Sequence, residues 1–127
     1  MSGERDAQTY TILGAAMEVH NEMGRGFREL PYQDAFELEL GFRSIPFERE
    51  PPVVIHYKGN PLKSTYSPDF ICYAAVIVEL KAVEALTDDH RAQVINYLKA
   101  THMHRALLLN FGQDRLVYER IVLNYPD

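Results

Sequence analysis

A lysine and an acidic residue stand at the end of an apolar run, where charged groups are unusual. Residues 74–78, Ala-Ala-Val-Ile-Val, are followed directly by Glu79, Leu80 and Lys81. A short run rich in β-branched residues predicts a strand that is buried on both faces. Because side chains alternate along a strand, Glu79 and Lys81 share one face, about 7 Å apart, and Leu80 lies opposite. Charges at the tip of a buried strand are costly unless something binds them, so the pattern predicts a functional site.

A second carboxylate precedes this strand. Pro68-Asp69 opens another β-rich run, residues 70–73, and a hairpin between the two runs would bring Asp69 alongside Glu79. Neither Gly nor Asn marks the turn between them, so the hairpin has a weak sequence signal. Two carboxylates and a lysine in one place could hold a divalent metal ion and position a water. The alternative is structural: Glu79 and Lys81 form an ion pair at the strand end, and Asp69 caps a turn.

The rest of the chain predicts elements that would carry this cluster. Periodicity and turn signals indicate a helix–helix–strands–helix–strand order, which is typical of an α/β layer with a small mixed β-sheet flanked by helices. The length of 127 residues fits a single domain, with about the first six residues flexible. The predicted elements are helices over about 7–23, 31–40 and 88–101 (the last with Thr87 as N-cap), extended segments within 42–57, a turn at 58–61, strands at 62–66 and 105–111, and a strand or helix turn at 116–122.

Composition limits the cellular setting. The single cysteine, Cys72, excludes an internal disulfide and favours a reducing compartment. The N-terminal segment is polar, and no apolar run approaches the roughly 18 residues that a membrane span needs. We therefore expect a cytoplasmic protein with no membrane contact. The net charge of −5 argues against a broad basic surface that grips nucleic acid.

Three further features have two interpretations each. Glu29 lies at the start of the second predicted helix, where the helix dipole favours a carboxylate whatever else it does. His20 lies beside the apolar stripe of the first helix, either as a partly buried residue bonded to backbone or as a residue near the cluster. The basic residues between Lys99 and Arg105 form either a solvated helix end or a patch that faces phosphate.

Four short motifs follow one another along the chain: Gly26-Phe27-Arg28-Glu29-Leu30-Pro31-Tyr32, Pro68-Asp69, Glu79-Leu80-Lys81 and Gln93-x-x-x-Tyr97. Together and in this order they resemble the motifs of the small GxxExxY proteins of the PD-(D/E)XK nuclease superfamily. The resemblance covers nearly the whole chain, from the first helix to Asn110-Phe111.

The resemblance implies a restriction-endonuclease-like core that holds Mg²⁺ or Mn²⁺, ions that prefer oxygen ligands. It also implies roles for individual residues. Asp69 and Glu79 would bind the metal, with the Leu80 carbonyl as a further ligand. Lys81 would orient or activate the attacking water. Glu29 would supply an acidic group from the helix before the sheet, and Gln93 and Tyr97 would line the site.

The function that follows is metal-dependent hydrolysis of phosphodiester bonds in nucleic acid, with DNA favoured over RNA. Dimerisation or a partner protein would lengthen the footprint of so small a core. Two other functions fit the same residues. One is a catalytically weak or inactive nuclease-like scaffold that serves as a binding or accessory subunit. The other is a metal-dependent hydrolase of small phosphoesters, which needs no basic groove.

Overall fold

The computed structural model describes residues 6–125, which form three helices and seven strands. No helix in this range combines the length and the apolar character that a membrane span requires. In chain order the elements are α1 (Ala7–Met23), α2 (Glu29–Phe42), β1 (Phe47–Arg49), β2 (Val53–Tyr57), β3 (Asn60–Tyr66), β4 (Phe70–Cys72), β5 (Val76–Lys81), α3 (Asp88–Thr101), β6 (Arg105–Asn110) and β7 (Val117–Val122).

Five of the strands form a mixed sheet in the order β1-β4-β5-β6-β7. The central pair, β5 and β6, is parallel, and the other pairs are antiparallel. Parallel neighbours need a crossover connection, and α3 supplies it between β5 and β6. This architecture confirms the predicted small mixed β-sheet flanked by helices.

The sheet separates two hydrophobic layers, as expected for a central strand buried on both faces. On one face Val76, Val78 and Leu80 pack with the apolar residues of α1 and α2. On the other face Ile77 packs with Val94 and Leu98 of α3. Alternation along β5 therefore places Glu79 and Lys81 on the α3 side, away from Leu80.

Strands β2 and β3 form a separate two-stranded antiparallel ribbon outside the main sheet. The predicted extended segment at 42–57 is therefore only partly correct. Phe42 still belongs to α2, and the remainder divides into β1 and β2, which join different sheets. The break falls at Glu50, which has a positive φ of 52°, and at the two prolines after it, which cannot donate to a strand ladder. The turn at Lys58-Gly59 connects the ribbon strands, as predicted.

The helices largely follow their sequence signals. Helix α1 has the predicted bounds, α2 extends two residues beyond the prediction at each end, and α3 begins after Thr87, whose hydroxyl accepts a hydrogen bond from the His90 amide. The buried residues of α3 are Val94, Tyr97 and Leu98, and Ile95 is half-buried. The last segment, predicted as a strand or helix turn, is the strand β7.

The predicted flexible terminus needs a correction at Asp6. Residues 1–5 and 126–127 lie outside the described residues, but Asp6 is buried, with 4% of its surface exposed. Its carboxylate caps α1 through the Thr9 amide and forms ion pairs with Arg105 and Arg120 at 2.6 and 2.7 Å. These bonds tie the start of α1 to β6 and β7. The sequence did not indicate them because the partners are about a hundred positions away.

Candidate active site

The hairpin of β4 and β5 places Asp69 beside Glu79. Its last paired residues are Phe70 and Val78, so the next position along each strand is a carboxylate. The turn that closes the hairpin has positive φ at both Tyr73 (58°) and Ala74 (52°), a conformation that normally favours Gly or Asn. Tyr73 tolerates this strain because its amide donates to the Pro46 carbonyl and its hydroxyl bonds Thr11 at 2.7 Å. Tertiary contacts thus replace the missing turn signal.

The two carboxylates are locked together through backbone amides. Glu79 Oε2 accepts a hydrogen bond from the Asp69 amide at 2.6 Å, and Asp69 Oδ2 accepts one from the Leu80 amide at 2.8 Å. Each side chain therefore fixes the strand of the other and still has a second oxygen. Among residues 6–125, neither second oxygen has a hydrogen-bonding partner of its own, yet neither is an unsatisfied buried atom. The hairpin presents two fixed carboxylates with a free oxygen each.

Proximity and burial make this pair hard to ionise. Glu79 is 3% exposed, and burial together with the charge of Asp69 raises its pKa to about 8. Burial likewise raises the pKa of Asp69 to about 6, against the Leu80 amide and the charge of Lys81, which act in the opposite direction. A bound cation would stabilise the ionised form of both carboxylates. Raised pKa values of this kind are expected where a site binds a cation.

Lys81 is held by α3. Its Nζ donates to Gln93 Oε1 at 3.2 Å, which connects α3 to the end of β5. The ion pairs among residues 6–125 do not include one between Glu79 and Lys81. Asp69 bonds the neighbouring strand instead of capping its own turn. The purely structural interpretation of these three residues therefore does not describe the observed contacts.

Tyr97 lies on the same side of the site. Burial raises its pKa to about 12, with further contributions from the charges of Glu79 and Asp69 and from Tyr66. Its ring meets the ring of Tyr66 edge to face, with centroids 5.0 Å apart. The hydroxyl of Tyr97 therefore remains protonated near both carboxylates and is available as a hydrogen-bond donor.

The segment Gly26 to Tyr32 has a clear structural basis. Gly26 has a φ of 116°, which only glycine adopts without strain. The buried Tyr32 hydroxyl donates to the Gly24 carbonyl at 2.6 Å and accepts from the Phe27 amide at 3.3 Å, which closes the loop between α1 and α2. Glu29 is thereby fixed as the first residue of α2, half-buried, at the position that the helix dipole favours.

Glu29 approaches the cluster without completing it. Its negative charge contributes to the raised pKa of both Asp69 and Glu79, so it lies within electrostatic reach of the pair. Across residues 6–125, however, no three His, Cys, Asp or Glu side chains stand close enough together to hold a metal ion. Two carboxylates suffice for Mg²⁺, which keeps several of its waters. The donor set of Asp69 and Glu79 fits such an ion.

The loop after β5 is fastened to β6. Buried Asn110 accepts hydrogen bonds from the amides of Val83 and Gly112 and donates one to the Val83 carbonyl. Gly112 allows this approach, because a Cβ at that position would overlap the Val83 backbone. The Phe111 amide also donates to the Lys81 carbonyl at 2.8 Å. These contacts hold the backbone that carries Lys81.

His20 and Glu50 differ in whether they contact the carboxylate pair. His20 bonds the Gln113 carbonyl at 2.8 Å and stacks on Phe111, which confirms the interpretation as a buried residue bonded to backbone. Glu50 was not among the predicted site residues. Its backbone amide donates to the Asp69 carbonyl, and its charge contributes to the raised pKa of Asp69. Nothing in its local sequence, next to two prolines, indicates that contact.

Comparison with known proteins identifies the class. The family model of the PD-(D/E)XK nuclease superfamily matches residues 6–121, and the chain belongs to that superfamily. The fold is similar to the crystal structure of SSO0001, with a TM-score of 0.53 and 16% identity over 93% of this chain and 78% of that chain. It is also similar to an alkaline exonuclease, LHK-Exo from Laribacter hongkongensis, with a TM-score of 0.46 and 12% identity over 74% and 54% of the two chains. No curated protein matches the sequence.

Proposed function

We propose that this protein is a divalent-metal-dependent nuclease of the GxxExxY type that hydrolyses phosphodiester bonds in nucleic acid. The observation that carries the proposal is the pair Asp69 and Glu79, interlocked at the tip of β5 beside a lysine that α3 holds in place. Membership of the PD-(D/E)XK nuclease superfamily supports the same reaction class. The G-x-x-E-x-x-Y segment, with its fixed loop and Glu29 at the start of α2, supports the narrower family.

Asp69 and Glu79 would hold Mg²⁺ or Mn²⁺ through their second oxygens, with the Leu80 carbonyl as a further ligand. A divalent ion bound there supplies Lewis acidity, which lowers the pKa of a coordinated water and withdraws charge from the phosphoryl oxygens. The raised pKa of each carboxylate supports this assignment, because a cation would relieve the repulsion between the two. Glu29 would act at longer range, through waters at the edge of the site.

The remaining side chains have distinct roles in this proposal. The Lys81 ammonium orients the attacking water and stabilises negative charge that develops on the phosphoryl group. Gln93 is a positioning residue, since its side-chain oxygen accepts from Lys81 and limits where the ammonium can lie. The protonated hydroxyl of Tyr97 donates toward the same side of the cluster.

We further propose DNA as the favoured polymer over RNA, and a homodimer or a partner protein as the assembly that lengthens the footprint. We also propose a cytoplasmic location, because a chain with a single cysteine has no internal disulfide and fits a reducing compartment. Cys72 is buried, and burial raises the pKa of its thiol to about 12, so it has no part in the proposed chemistry.

The test is cleavage of labelled DNA and RNA oligonucleotides in Mg²⁺ or Mn²⁺. We expect cleavage by the wild type that chelation abolishes, and a loss of about 100-fold or more in Lys81→Ala and Asp69→Asn. Arg115→Ala, an exposed change elsewhere on the surface, is the matched control and should cleave at the wild-type rate. Cleavage that survives both site variants would come from a contaminant and would refute the proposal.

A non-catalytic scaffold is the second candidate, and the lack of a three-residue metal cluster in residues 6–125 favours it. A scaffold would bind nucleic acid without cleaving it and would show the same affinity with and without Mn²⁺. The proposed nuclease would instead bind Mn²⁺ and lose that binding in Glu79→Gln.

A further inference from the structure

Charge is strongly segregated along this chain. Residues 51–68 contain Lys58, Lys63 and no acidic residue, and residues 90–113 contain Arg91, Lys99, Arg105 and no acidic residue. The two segments together carry +5, so the other 85 residues carry −10 within the total of −5. The overall net charge of −5 argues against nucleic-acid binding, but residues 51–68 and 90–113 form a basic region within this acidic chain. All four lysines of the protein lie in these segments or at Lys81.

The lysines differ from the arginines in their contacts. Six arginines form ion pairs with acidic side chains, including Arg91 with Glu119 and Arg105 with Asp6. Within residues 6–125 no ion pair involves Lys58, Lys63 or Lys99. These exposed ammonium groups are consequently available to an external anion.

The two acid-free segments meet in space. The β2–β3 ribbon packs against α3, and a cleft of about 480 Å³ opens between them. Apolar and aromatic groups from the ribbon form one wall, and polar and basic groups from α3 form the other. The residues that line the cleft are Ile55, His56, Leu62 and Tyr66 from the ribbon, and Asn96, Lys99, Ala100 and His102 from the end of α3.

This cleft, which we call the ribbon cleft, leads to the candidate active site. Tyr66 lines the cleft and contacts Tyr97, whose hydroxyl lies near Asp69 and Glu79. Asp69 also follows Tyr66 by only three residues, a reach of about 10 Å in extended chain. An occupant of the ribbon cleft would therefore lie next to the carboxylate pair.

We propose that the ribbon cleft binds an unpaired nucleotide next to the scissile phosphate, so that the substrate is single-stranded nucleic acid. This inference rests on the proposed nuclease function and names its substrate class. A base stacks on Tyr66, which is 39% exposed, against the apolar side chains of Ile55 and Leu62. Lys99 and His102 contact the phosphates next to that base.

The composition of the cleft favours a single strand over a duplex. Proteins that bind single strands combine a basic groove with aromatic side chains on which bases stack. In a duplex the bases are stacked on one another and present only phosphate and groove edges. Ile55, Leu62 and Tyr66 would then face no complementary surface. An apolar slot flanked by Lys99 and His102 matches a base with its phosphates.

The test measures binding separately from cleavage. Fluorescence anisotropy would follow labelled oligonucleotides, single-stranded DNA, single-stranded RNA and the matching duplex, in a buffer with chelator and no divalent ion. We expect the single strands to bind more tightly than the duplex. Tyr66→Ala should weaken single-strand binding about tenfold, and Tyr66→Phe, which keeps the ring, should restore it. Lys99→Ala should reduce the salt slope, log K against log salt, by about 0.7.

Control variants and outcomes separate this inference from the proposed function. Tyr118→Ala removes a tyrosine of similar exposure, 43%, on a different surface and should bind like the wild type. Tighter duplex binding, or wild-type affinity in Tyr66→Ala and Lys99→Ala, overturns the inference even if the protein cleaves. Weaker single-strand binding in Tyr66→Ala and Lys99→Ala supports nucleotide binding in the ribbon cleft. That result stands even if the protein never cleaves, an outcome that would disprove only the nuclease function.

Discussion

Replacing Glu79 with glutamine removes one ionisable group from the buried carboxylate pair and keeps its shape. The amide oxygen of the substituted side chain can still accept the hydrogen bond that the Asp69 amide donates to Glu79 in the wild type. The change therefore isolates the electrostatic consequence of burying two acids side by side. We expect it to alter how stability depends on pH.

The sign and size follow from the pKa of Glu79, which burial and Asp69 raise from 4.5 to about 8. Between these values the folded protein keeps a proton that the unfolded chain has released. The free energy of unfolding therefore falls as pH rises through that window. A full proton of difference corresponds to about 1.4 kcal/mol per pH unit. Between about pH 5 and about pH 7 the wild type should lose roughly 2 kcal/mol relative to Glu79→Gln.

The assay is urea denaturation across this pH range, without divalent metal, for the wild type, Glu79→Gln and Glu22→Gln. Glu22 is an exposed carboxylate on α1, so its variant should keep the wild-type pH slope. Adding Mg²⁺ should stabilise the wild type most at the high-pH end, because the ion replaces the proton that the pair releases. Equal pH slopes in the wild type and Glu79→Gln would refute the electrostatic reasoning about the pair.

Two further substitutions and one labelling experiment test the packing of the fold. Asp6→Asn leaves Arg105 and Arg120 without their buried partner and should lower the free energy of unfolding by about 3 kcal/mol in urea; a loss under about 1 kcal/mol would contradict the buried ion pairs. Gly112→Ala forces the loop after β5 away from Val83, so we expect both a lower thermal midpoint and slower cleavage, whereas Gly41→Ala, with open space around its Cβ, serves as the control. Cys72 should resist thiol reagents in the native protein and react only on unfolding, because burial raises its pKa to about 12; rapid native labelling would show that β4 is not packed as described.

Local patterns predicted the parts of the fold that depend on nearest neighbours. The apolar run before Glu79 predicted a strand buried on both faces, and Thr87 predicted the start of α3. Alternation along β5 and the short connection from Asp69 also predicted that the two carboxylates lie side by side. Each of these features depends on contacts between residues that are at most about a dozen positions apart, and sequence periodicity reflects such contacts.

Features that depend on distant contacts had no such signal. The turn at Tyr73-Ala74 is stabilised by Pro46 and Thr11, and the start of α1 is fixed by arginines on β6 and β7. The packing of the β2–β3 ribbon against α3 is likewise a contact between segments that are distant in the sequence. Metal ligation by Glu29 stays a prediction, because electrostatic reach is a weaker relation than coordination.

Calorimetric titration with Mn²⁺ tests most directly whether Asp69 and Glu79 form a divalent metal site. We predict saturable binding to the wild type near neutral pH, accompanied by proton release that varies with the ionisation heat of the buffer. Asp69→Asn and Glu79→Gln should each abolish that heat, and Glu22→Gln should leave it unchanged. Absence of binding to the wild type, or equal binding in both site variants, would contradict a metal site at this pair.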